Sequence, residues 1–375
     1  MIFYAYLGYP VVLWFISLFK HGGNKYLEKP PGQSGQYQPR VSLLISAYNE
    51  ENVIEDKILN SLALNYPKDL LEIVVISDGS EDKTNQIVAG YAEKDVILRN
   101  YGRIGKTACL NKAVPLVEGD IIIFSDANTK YDRDAVRELV KHFSDAKIGF
   151  VTGHTKYFSE RGSEDLHSIG AYSNIERITK KFESKIGSCV GADGAIFAIR
   201  KDLYQPLNDF DINDFVIPLN IIKQGFRGIL EEKAFCIEKT AKELAEEFNR
   251  QARITNRTIR ALFNNADMLN PFKYGIFSFE LLSHKIFKFL MPFFMLALLL
   301  TNVIMIIHGT LYVLTLTGQL FLYFLAWMGY IGKYSKRLSR LVSASETFTI
   351  VNLAFLCGWI KYFKGETYTT WTSAR

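Results

Sequence analysis

The chain has 375 residues, of which 48% are apolar, and this share is high for a wholly soluble protein. Its four cysteines are widely spaced and fit neither a disulfide framework nor a zinc site, which excludes a cystine-stabilised secreted domain. The formal charge of +5 is mild, and the basic residues lie beside hydrophobic segments, which indicates membrane lipid and not nucleic acid as the partner.

The apolar residues are concentrated at the two ends of the chain. Residues 1–19 contain an uncharged run long enough to cross a bilayer, and Lys20, Lys25 and Lys29 follow it. The run predicts a transmembrane anchor with its C-terminal end in the cytoplasm. A cleaved signal peptide is the alternative, but no basic segment precedes the run and no convincing cleavage site follows it. Residues 20–39, rich in Gly, Pro and Gln, are predicted to form a linker.

Short apolar runs alternate with helical patterns over residues 40–240. Predicted strands lie at 41–46, 72–77, 96–99 and 120–125, and predicted helices lie at about 51–64, after Ser80 and at about 107–117. This alternation predicts an α/β domain with a doubly wound, largely parallel sheet and helices on both faces. Ligands bind such a sheet at the C-terminal ends of its strands.

Three polar triplets follow predicted strands and should meet at one rim of the sheet: Tyr48-Asn49-Glu50, Asp78-Gly79-Ser80 and Asp126-Ala127-Asn128. The first triplet can stack on a nucleobase and bind a ribose, or it can form a helix-capping box. In the second triplet Asp78 can contact a nucleoside while Ser80 caps the next helix, or the triplet can be a simple turn.

The third triplet predicts a metal ion. A bound diphosphate group carries about two negative charges, so carboxylates beside it require a bridging divalent cation such as Mg²⁺ or Mn²⁺. Asp126 is the expected direct ligand, and Asn128 offers an amide oxygen in place of a second carboxylate. An isolated D-x-N triplet is more typical of a turn or a helix cap. Its position after a buried strand favours the metal site here.

Residues 102–107 end in Gly-Lys-Thr before a helix, as a phosphate-binding P-loop does. Only two residues separate the two glycines, whereas a P-loop needs four, and Asn100 stands where its first glycine should be. The spacing therefore excludes a P-loop transporter subunit. It leaves the prediction that Lys106 and the helix N-terminus meet a phosphate.

Asp214 precedes an apolar helical pattern at 216–222. It can cap that helix, or it can act as the general base that removes a proton from an acceptor hydroxyl, and the sequence leaves both roles open. Arg250 and Arg253 share one helical face, where bidentate guanidinium groups would suit a departing diphosphate. Alone, such arginines are more typical of a solvated face or of a lipid-headgroup contact.

The C-terminal part combines an interfacial segment with hydrophobic spans. Residues 241–285 carry the arginine segment and an amphipathic pattern typical of an interfacial helix, and residues 286–363 are mostly apolar. The third apolar stretch within them is short for a span unless its flanks are recruited, so the side of the C-terminus stays open. The spans and the tail are predicted at about 288–307, about 310–331, 348–360 and 364–375. The residues that place the loop after the second span in the cytoplasm are Lys333, Lys336, Arg337 and Arg340.

Seven segments of the chain resemble glycosyltransferase family 2, the inverting GT-A class that includes cellulose, chitin and hyaluronan synthases and many bacterial exopolysaccharide and lipopolysaccharide enzymes. The segments are ISAYNEE (45–51), SDGSEDKT (77–84), GRIGKTACLN (102–111), FSDANT (124–129), GADGAIFAIRKDLY (191–204), INDFVIPL (212–219) and EFNRQARI (247–254). The resemblance implies a GT-A (Rossmann-like) fold with a mixed, mostly parallel sheet and helices on both faces, accompanied by transmembrane and interfacial helices.

The resemblance also implies roles for single residues. Asp78 would bind the nucleoside part of the donor, Asp126 would bind the metal and the diphosphate, and Asp214 would be the catalytic base. Arg250 and Arg253 would steady the leaving nucleoside diphosphate. The residues that would line the acceptor site are Gly191, Asp193 and Gly194.

The implied activity is transfer of a sugar from a nucleotide sugar, expected to be a UDP-sugar, to a lipid-linked or polysaccharide acceptor in bacterial-type cell-surface polysaccharide or glycolipid synthesis. The expected place is the inner or plasma membrane, with the catalytic domain in the cytoplasm. Processive relatives carry Thr-Glu-Asp and Gln-x-x-Arg-Trp, whereas this chain has Ile-Asn-Asp at 212–214 and Ile254 in place of the Trp. The missing Trp favours addition of one or a few sugars. A processive synthase and a non-catalytic nucleotide-sugar-binding regulator are the alternatives.

Overall fold

A computed structural model describes the chain over residues 1–19, 37–158, 164–239, 244–332 and 339–370. Most of the predicted linker lies outside the described residues, and so does the end of the tail. The same holds for most of the basic residues that were used to orient the spans, namely Lys20, Lys25, Lys29, Lys333, Lys336 and Arg337.

One mixed sheet forms the centre of the α/β domain. Its strands are β1 (Val41–Ala47), β2 (Leu71–Ser77), β3 (Val96–Asn100), β4 (Ile121–Asp126), β5 (Thr129–Tyr131), β6 (Ile148–Phe158), β7 (Ile196–Arg200) and β8 (Arg227–Lys239). Their order across the sheet is β3-β2-β1-β4-β7-β6-β8-β5. The first four strands in this order are parallel, and so are β6 and β8, whereas β7 is antiparallel to both of its neighbours and β5 is antiparallel to β8.

The parallel half of the sheet brings the predicted polar triplets to one rim. Every residue of β1 is buried, as a central strand covered on both faces requires. Its register sets Ala47 opposite Ser77 of β2 and Ser46 opposite Asp126 of β4, so the three strands end at the same level. The four predicted strands are confirmed with ends that differ by at most one residue.

The four later strands were missed by the sequence prediction. β6 and β8 are long, with 11 and 13 residues. Each is buried at nearly every position in its first half and alternates between buried and open positions in its second half. Neither an apolar run nor a two-residue period therefore extends over the whole strand, and these are the patterns by which a strand is recognised.

Helices cover both faces of the sheet and continue into the C-terminal part. They are α1 (Tyr9–Phe19), α2 (Ile54–Leu62), α3 (Thr84–Ala89), α4 (Lys106–Ala113), α5 (Ala135–Val140), α6 (Glu164–Ile186), α7 (Asn213–Lys223), α8 (Leu244–Asn264), α9 (Pro271–Tyr274), α10 (Ile276–Leu281), α11 (Phe287–Phe289), α12 (Met291–Met305), α13 (Thr310–Tyr330) and α14 (Ser339–Phe363). Successive residues of β1 face opposite cores: Leu43 belongs to the same apolar cluster as Ile58 of α2, and Leu44 to the same cluster as Leu110 of α4. The predicted two-sided arrangement is confirmed.

Two predicted capping roles are wrong. α3 begins at Thr84, four residues after Ser80, and its first turn is held by the Asp82 carboxylate, which accepts a hydrogen bond from the Thr84 N–H at 2.9 Å. α2 begins at Ile54 and has no side-chain cap, so the triplet at 48–50 is not its capping box. Both triplets instead form the loops that follow their strands at the rim.

Three helical segments are long and apolar enough to cross a membrane: Met291–His308, Thr310–Tyr330 and Arg340–Phe363. The first two agree with the predicted spans. The third includes the short apolar stretch at 348–360 together with flanking residues, because the helix extends past that stretch at both ends. The N-terminal helix at Tyr4–Phe19 is shorter, about 24 Å at 1.5 Å per residue. This is less than the roughly 30 Å of a hydrocarbon core, and its role as an anchor stays a prediction.

A buried polar network fixes the N-terminal helix to the α/β domain. The Glu183 carboxylate in α6 is fully buried and accepts a hydrogen bond from the Tyr9 hydroxyl at 2.9 Å. It also accepts one from the Val190 N–H at 3.1 Å, and His284 Nδ1 lies 2.6 Å from it. The other ring nitrogen of His284 lies 3.0 Å from Glu176. This Glu183 network joins α1, α6 and the segment before α11.

α14, itself a potential membrane span, packs on α8. Gly358 of α14 lies so close to α8 that an added Cβ would be 2.7 Å from the Thr255 side chain. The Trp359 indole N–H donates to the carbonyl of Phe289 at 2.9 Å, which ties α14 to α11, shortly after the predicted interfacial segment. The end of that segment forms α10 and most of a π-helical turn at Leu282–Ile286. The helix that carries the arginines is therefore packed directly on a potential membrane span.

Candidate active site

The loops after β1 and β2 interlock at the rim. The Asn49 carboxamide oxygen accepts a hydrogen bond from the Glu81 N–H at 2.9 Å, and the Asn49 N–H donates to the Ser80 hydroxyl at 3.1 Å. The Glu50 N–H donates to the Thr84 hydroxyl at 2.8 Å. Asn49 has a φ of +52°, a left-handed conformation that Asn adopts more readily than most residues. The predicted donor residues 48–50 are thus held in one fixed loop.

Asp78 lies beneath the rim and is fully buried. Its carboxylate accepts hydrogen bonds from the backbone N–H groups of Ile104, at 2.8 Å, and Gly105, at 2.6 Å, and it forms an ion pair with Arg103. The Arg103 guanidinium lies over the Tyr48 ring at 3.4 Å from its centroid. Asp78 therefore orients the loop at 103–105, and its contact with a nucleoside stays a prediction.

Asp126 and Lys106, both predicted donor-site residues, lie together. Asp126 ends β4 and forms an ion pair with Lys106, the first residue of α4. Their side chains are 38% and 20% exposed, so the pair is open to a ligand from solvent. The rim thus contains both a candidate metal ligand and a candidate phosphate-binding cation.

The described part of the tail reaches the same rim. The carbonyl of Thr369 lies against Gly105 and leaves no room there for a side chain. The carbonyl of Glu366 accepts hydrogen bonds from the Asn256 side chain at 3.2 Å and from Arg260 at 3.1 Å, both on α8. No motif in the sequence indicated this contact.

Asn128 contacts a residue that the sequence analysis missed. Its amide Nδ2 donates a hydrogen bond to Glu238 Oε1 at 2.8 Å. Glu238 belongs to β8, whose pairing with β5 sets it opposite Thr129. Burial raises the pKa of Glu238 to about 7, and the nearby Asp126 carboxylate adds to this effect. Only the pairing of two unpredicted strands could have indicated that Glu238 joins the site.

The predicted base, Asp214, lies beside the predicted acceptor loop at residues 191–194. α7 begins at Asn213 without a side-chain cap, so Asp214 is not the helix cap. The Ala192 N–H donates to the Asp214 carbonyl at 2.8 Å, which holds the loop against α7. A Cβ on Gly194 would lie 2.7 Å from Asp214 Oδ2, so only glycine leaves the carboxylate in this position.

Asp214 is electrostatically poised. Burial raises the pKa of its carboxyl group above the ordinary aspartate value. The positive charges of three lysines lower the pKa of Asp214. They are Lys106 of α4, Lys285 in the segment before α11 and Lys180 of α6. The positive charges keep available the ionised form that a base needs, while burial increases its affinity for a proton.

Asp193 and Gly191 shape the loop. The Asp193 carboxylate accepts hydrogen bonds from the Thr155 N–H at 2.8 Å and from the Thr155 hydroxyl at 2.9 Å, and another from the Ala195 N–H at 3.1 Å. Burial raises its pKa, and Lys180 opposes this shift. Gly191 has a φ of +123°, which favours glycine. These contacts give Asp193 a role in loop geometry, and its contact with a sugar stays a prediction.

A polar cavity of about 450 Å³ adjoins this loop. It lies between β6, α6 and β8, and its lining includes Thr155, Lys156 and Arg177. Burial, together with the positive charge of Arg177, lowers the pKa of His154 in the lining to about 4, so this side chain is neutral near pH 7. The cavity offers hydroxyl, amide and cationic groups close to the predicted acceptor residues.

The arginines of α8 differ in their contacts, since one pairs within its own helix and another bonds to α4. Arg250 donates to both oxygens of Glu247 at 2.8 Å, so in this structure it pairs within its own helix. Burial and the charge of Arg250 lower the pKa of Arg253. Arg257, which was not assigned a role from the sequence, donates to the Thr107 hydroxyl at 3.0 Å and so ties α8 to α4. Diphosphate binding by Arg250 and Arg253 stays a prediction.

The oxygen donors at the end of β4 fit a divalent cation. Among the described residues no three His, Cys, Asp or Glu side chains form a complete metal cluster. Mg²⁺ at a phosphate needs only one or two carboxylates, because phosphate and water oxygens fill its other positions. Asp126 and Glu238 supply carboxylates and Asn128 an amide, which are the hard donors that Mg²⁺ and Mn²⁺ prefer.

Comparisons with known proteins bear on the same domain. Residues 42–207 match a family model described as Glycosyl transferase family 2. The chain is 33% identical over 186 residues to the probable glycosyltransferase YdaM of Bacillus subtilis (strain 168), covering 46% of this chain and 43% of that protein. It is 25% identical over 217 residues to the poly-beta-1,6-N-acetyl-D-glucosamine synthase of Staphylococcus aureus (strain MSSA476), covering 56% and 52%. The chain spans about half the length of these curated relatives.

A solved structure shares the fold over nearly the whole chain. It is described as mannosyltransferase PcManGT from Pyrobaculum calidifontis in complex with GDP-Man and Mn2+, and it covers 98% of this chain and 100% of its own, with a TM-score of 0.61 and 20% sequence identity. The mixed sheet therefore has a GT-A fold. The segment at 42–207, which is less than half of the chain, is thus similar to glycosyltransferase family 2.

Proposed function

We propose that the protein is a membrane-held enzyme that transfers a sugar, with inversion, from a nucleotide sugar to a hydroxyl group of a membrane-associated acceptor. The position of Asp214 supports this best. Its carboxylate lies against Gly194 of the predicted acceptor loop, and Lys106 at the rim is near enough to lower its pKa. A partly buried carboxylate with a raised pKa, next to a rim that is proposed to bind a diphosphate, is suited to general base catalysis.

The proposed reaction is a single displacement. Asp214 takes the proton of the acceptor hydroxyl while that oxygen attacks the anomeric carbon opposite the diphosphate. The bond from the anomeric carbon to the diphosphate oxygen breaks, and its electron pair leaves with the diphosphate. Arg250, Arg253 and Lys106 are the cationic side chains that would offset this charge, in which case Arg250 and Lys106 give up their present partners, Glu247 and Asp126.

Asp126 and Asn128 would hold the divalent cation, Mg²⁺ or Mn²⁺. When bound, the cation offsets negative charge on the donor diphosphate. The oxygen-rich donor set supports this assignment, and the mannosyltransferase with the same fold was solved with Mn2+. The donor is proposed to be a UDP-sugar. Because the fold neighbour was solved with GDP-Man, both classes of donor belong in the test.

The proposed acceptor is lipid-linked or a polysaccharide, as in bacterial-type cell-surface polysaccharide or glycolipid synthesis at the inner or plasma membrane. The contact between α8 and α14 supports it. The helix that carries the arginines packs on a potential span through Gly358 and Thr255, so a membrane-borne acceptor would arrive beside a cytoplasmic rim.

A processive polysaccharide synthase is the second candidate, because one relative carries that name at 25% identity. Ile254 argues against it, since processive members of the family carry a Trp at this place. Product length from purified enzyme and one radiolabelled donor separates the two. A product of one or a few sugars supports single addition, and a polymer contradicts it.

The activity itself is tested by donor screening. The full chain in detergent is mixed with Mn²⁺ and single UDP- or GDP-sugars, with and without a membrane lipid extract, and the release of nucleoside diphosphate is measured. We expect release from one donor class, increased by the extract. Release no higher than in protein-free samples for every donor and extract contradicts the proposal.

A further inference from the structure

The predicted metal triplet contains one carboxylate where a D-x-D triplet would have two, and the structure offers a replacement. Asn128 occupies the third position, and its amide N–H₂ donates to Glu238 at 2.8 Å. An amide has one oxygen and one nitrogen on the same carbon. With the nitrogen bonded to Glu238, the amide oxygen is the atom that Asn128 can offer to a cation, and Glu238 lies beside the triplet.

The placement of Glu238 follows from the sheet. β5 begins directly after Asn128 and pairs with β8, which sets Thr129 opposite Glu238. Because this ladder fixes both backbones and Glu238 accepts the hydrogen bond of Asn128, its side chain lies beside the triplet that begins at Asp126. A divalent cation held between the two carboxylates would offset their mutual repulsion.

Arg250 is the other candidate for balancing Glu238, since it also acts on this carboxylate. It already makes a two-pronged ion pair with Glu247, at 2.8 Å for both hydrogen bonds. The described partner of Glu238 is the neutral amide of Asn128. A cation that binds Glu238 would therefore not have to displace a bidentate arginine from this carboxylate.

We propose that Glu238 is the second carboxylate of the cation site, so that Asp126, the Asn128 amide oxygen and Glu238 together face the ion. The missing charge of the triplet is thus supplied from another strand. Diphosphate and water oxygens complete the coordination, as is usual for Mg²⁺ at a phosphate. This inference rests on the proposed metal-dependent donor binding.

The test is direct binding of Mn²⁺ to the full chain in detergent, followed by electron paramagnetic resonance, with Mn²⁺ alone and with UDP or GDP added. Glu238→Gln keeps the size of the side chain and an oxygen for the Asn128 hydrogen bond, but it removes the charge. We expect the Mn²⁺ dissociation constant to rise by about tenfold or more. Glu118→Gln, at an exposed residue paired with Arg40, is the matched control and should leave it unchanged.

A second variant separates ligation from a structural role. In Asn128→Asp combined with Glu238→Gln, the carboxylate moves from β8 back into the triplet. We expect Mn²⁺ affinity to return to about the wild-type value, which loss of folding or of a structural hydrogen bond would not produce. Wild-type affinity in Glu238→Gln, or equally weak binding in the single and double variants, overturns the proposal.

The outcome is independent of sugar transfer. If Mn²⁺ binding follows the expected order but no donor is turned over, the cation site stands and the proposed function fails. If donors are turned over while Mn²⁺ binding ignores Glu238, the proposed function stands and this inference fails.

Discussion

Asp214 is partly buried, but as the proposed base it must carry a negative charge. Burial raises its pKa, whereas Lys106, Lys285 and Lys180 lower it, and the net shift is upward. A base acts in its deprotonated form, so kcat/KM for the acceptor should rise with pH through this raised pKa. The acidic limb should therefore lie above the ordinary aspartate value of about 3.9.

The measurement is a pH–rate profile of nucleoside diphosphate release at saturating Mn²⁺, with circular dichroism at each pH to confirm that the chain stays folded. Lys106→Met removes one of the opposing charges and should move the acidic limb to higher pH. A rate that stays constant down to about pH 4 would show that no group with a raised pKa limits the reaction.

The contact between α8 and α14 makes a prediction at the scale of elements. Gly358→Leu would push a side chain against Thr255, because even a Cβ atom added to Gly358 would lie 2.7 Å from the Thr255 side chain. Overpacking of this kind costs about 1–3 kcal/mol, so the variant should melt at a lower temperature and lose transfer activity. Gly318→Leu in α13 is the matched control, because nothing lies within 4 Å of its added Cβ. Equal melting temperatures for the two variants would contradict the close approach.

The Glu183 network makes a second prediction at this scale. Glu183→Gln replaces the carboxylate that contacts His284 and weakens the hold on Val190, which precedes the predicted acceptor loop. Leaving a buried partner of this carboxylate unsatisfied costs about 1–3 kcal/mol of unfolding free energy for each partner. Tyr9→Phe removes one hydrogen bond to the same carboxylate and should cost about 1 kcal/mol.

Unfolding by guanidinium chloride in a fixed detergent measures both variants. The network is confirmed as a unit if Glu183→Gln loses clearly more stability than Tyr9→Phe and also loses transfer activity at temperatures where it is folded. Equal, small losses in the two variants would mean that the network contributes only ordinary hydrogen bonds.

At the scale of the whole molecule, the sequence predicted well those strands and helices that show a local pattern of their own. The parallel strands β1 to β4 are continuous apolar runs, and parallel topology alone brings their C-terminal ends to one rim. Asp78 and Asp126 could therefore be named as site candidates from their positions after strands. The long apolar helices were visible for the same reason, since length and composition decide them.

The parts that depend on distant pairing were not predicted. Glu238 joins the rim only through the β5–β8 register, and the tail reaches Gly105 only because α14 returns to α8. Capping at Ser80 was predicted wrongly because a Ser before a helical pattern usually caps it. Here the helix begins four residues later, Asp82 accepts a hydrogen bond from its first residue, and Ser80 contacts Asn49. Local sequence carries no record of such long-range contacts.

The most direct test of the proposed chemistry compares transfer of a radiolabelled sugar by the wild type and by Asp214→Asn, with Asp209→Asn as an exposed control. A raised pKa means that the folded state is stabilised by protonation of Asp214, an effect present at low pH and lost as pH rises through that pKa. At neutral pH the Asn variant should therefore melt no lower than the wild type. We expect it to bind nucleoside diphosphate normally and to transfer sugar about 10²- to 10⁴-fold more slowly. A folded Asp214→Asn protein with near wild-type transfer would contradict the assignment of Asp214 as the base.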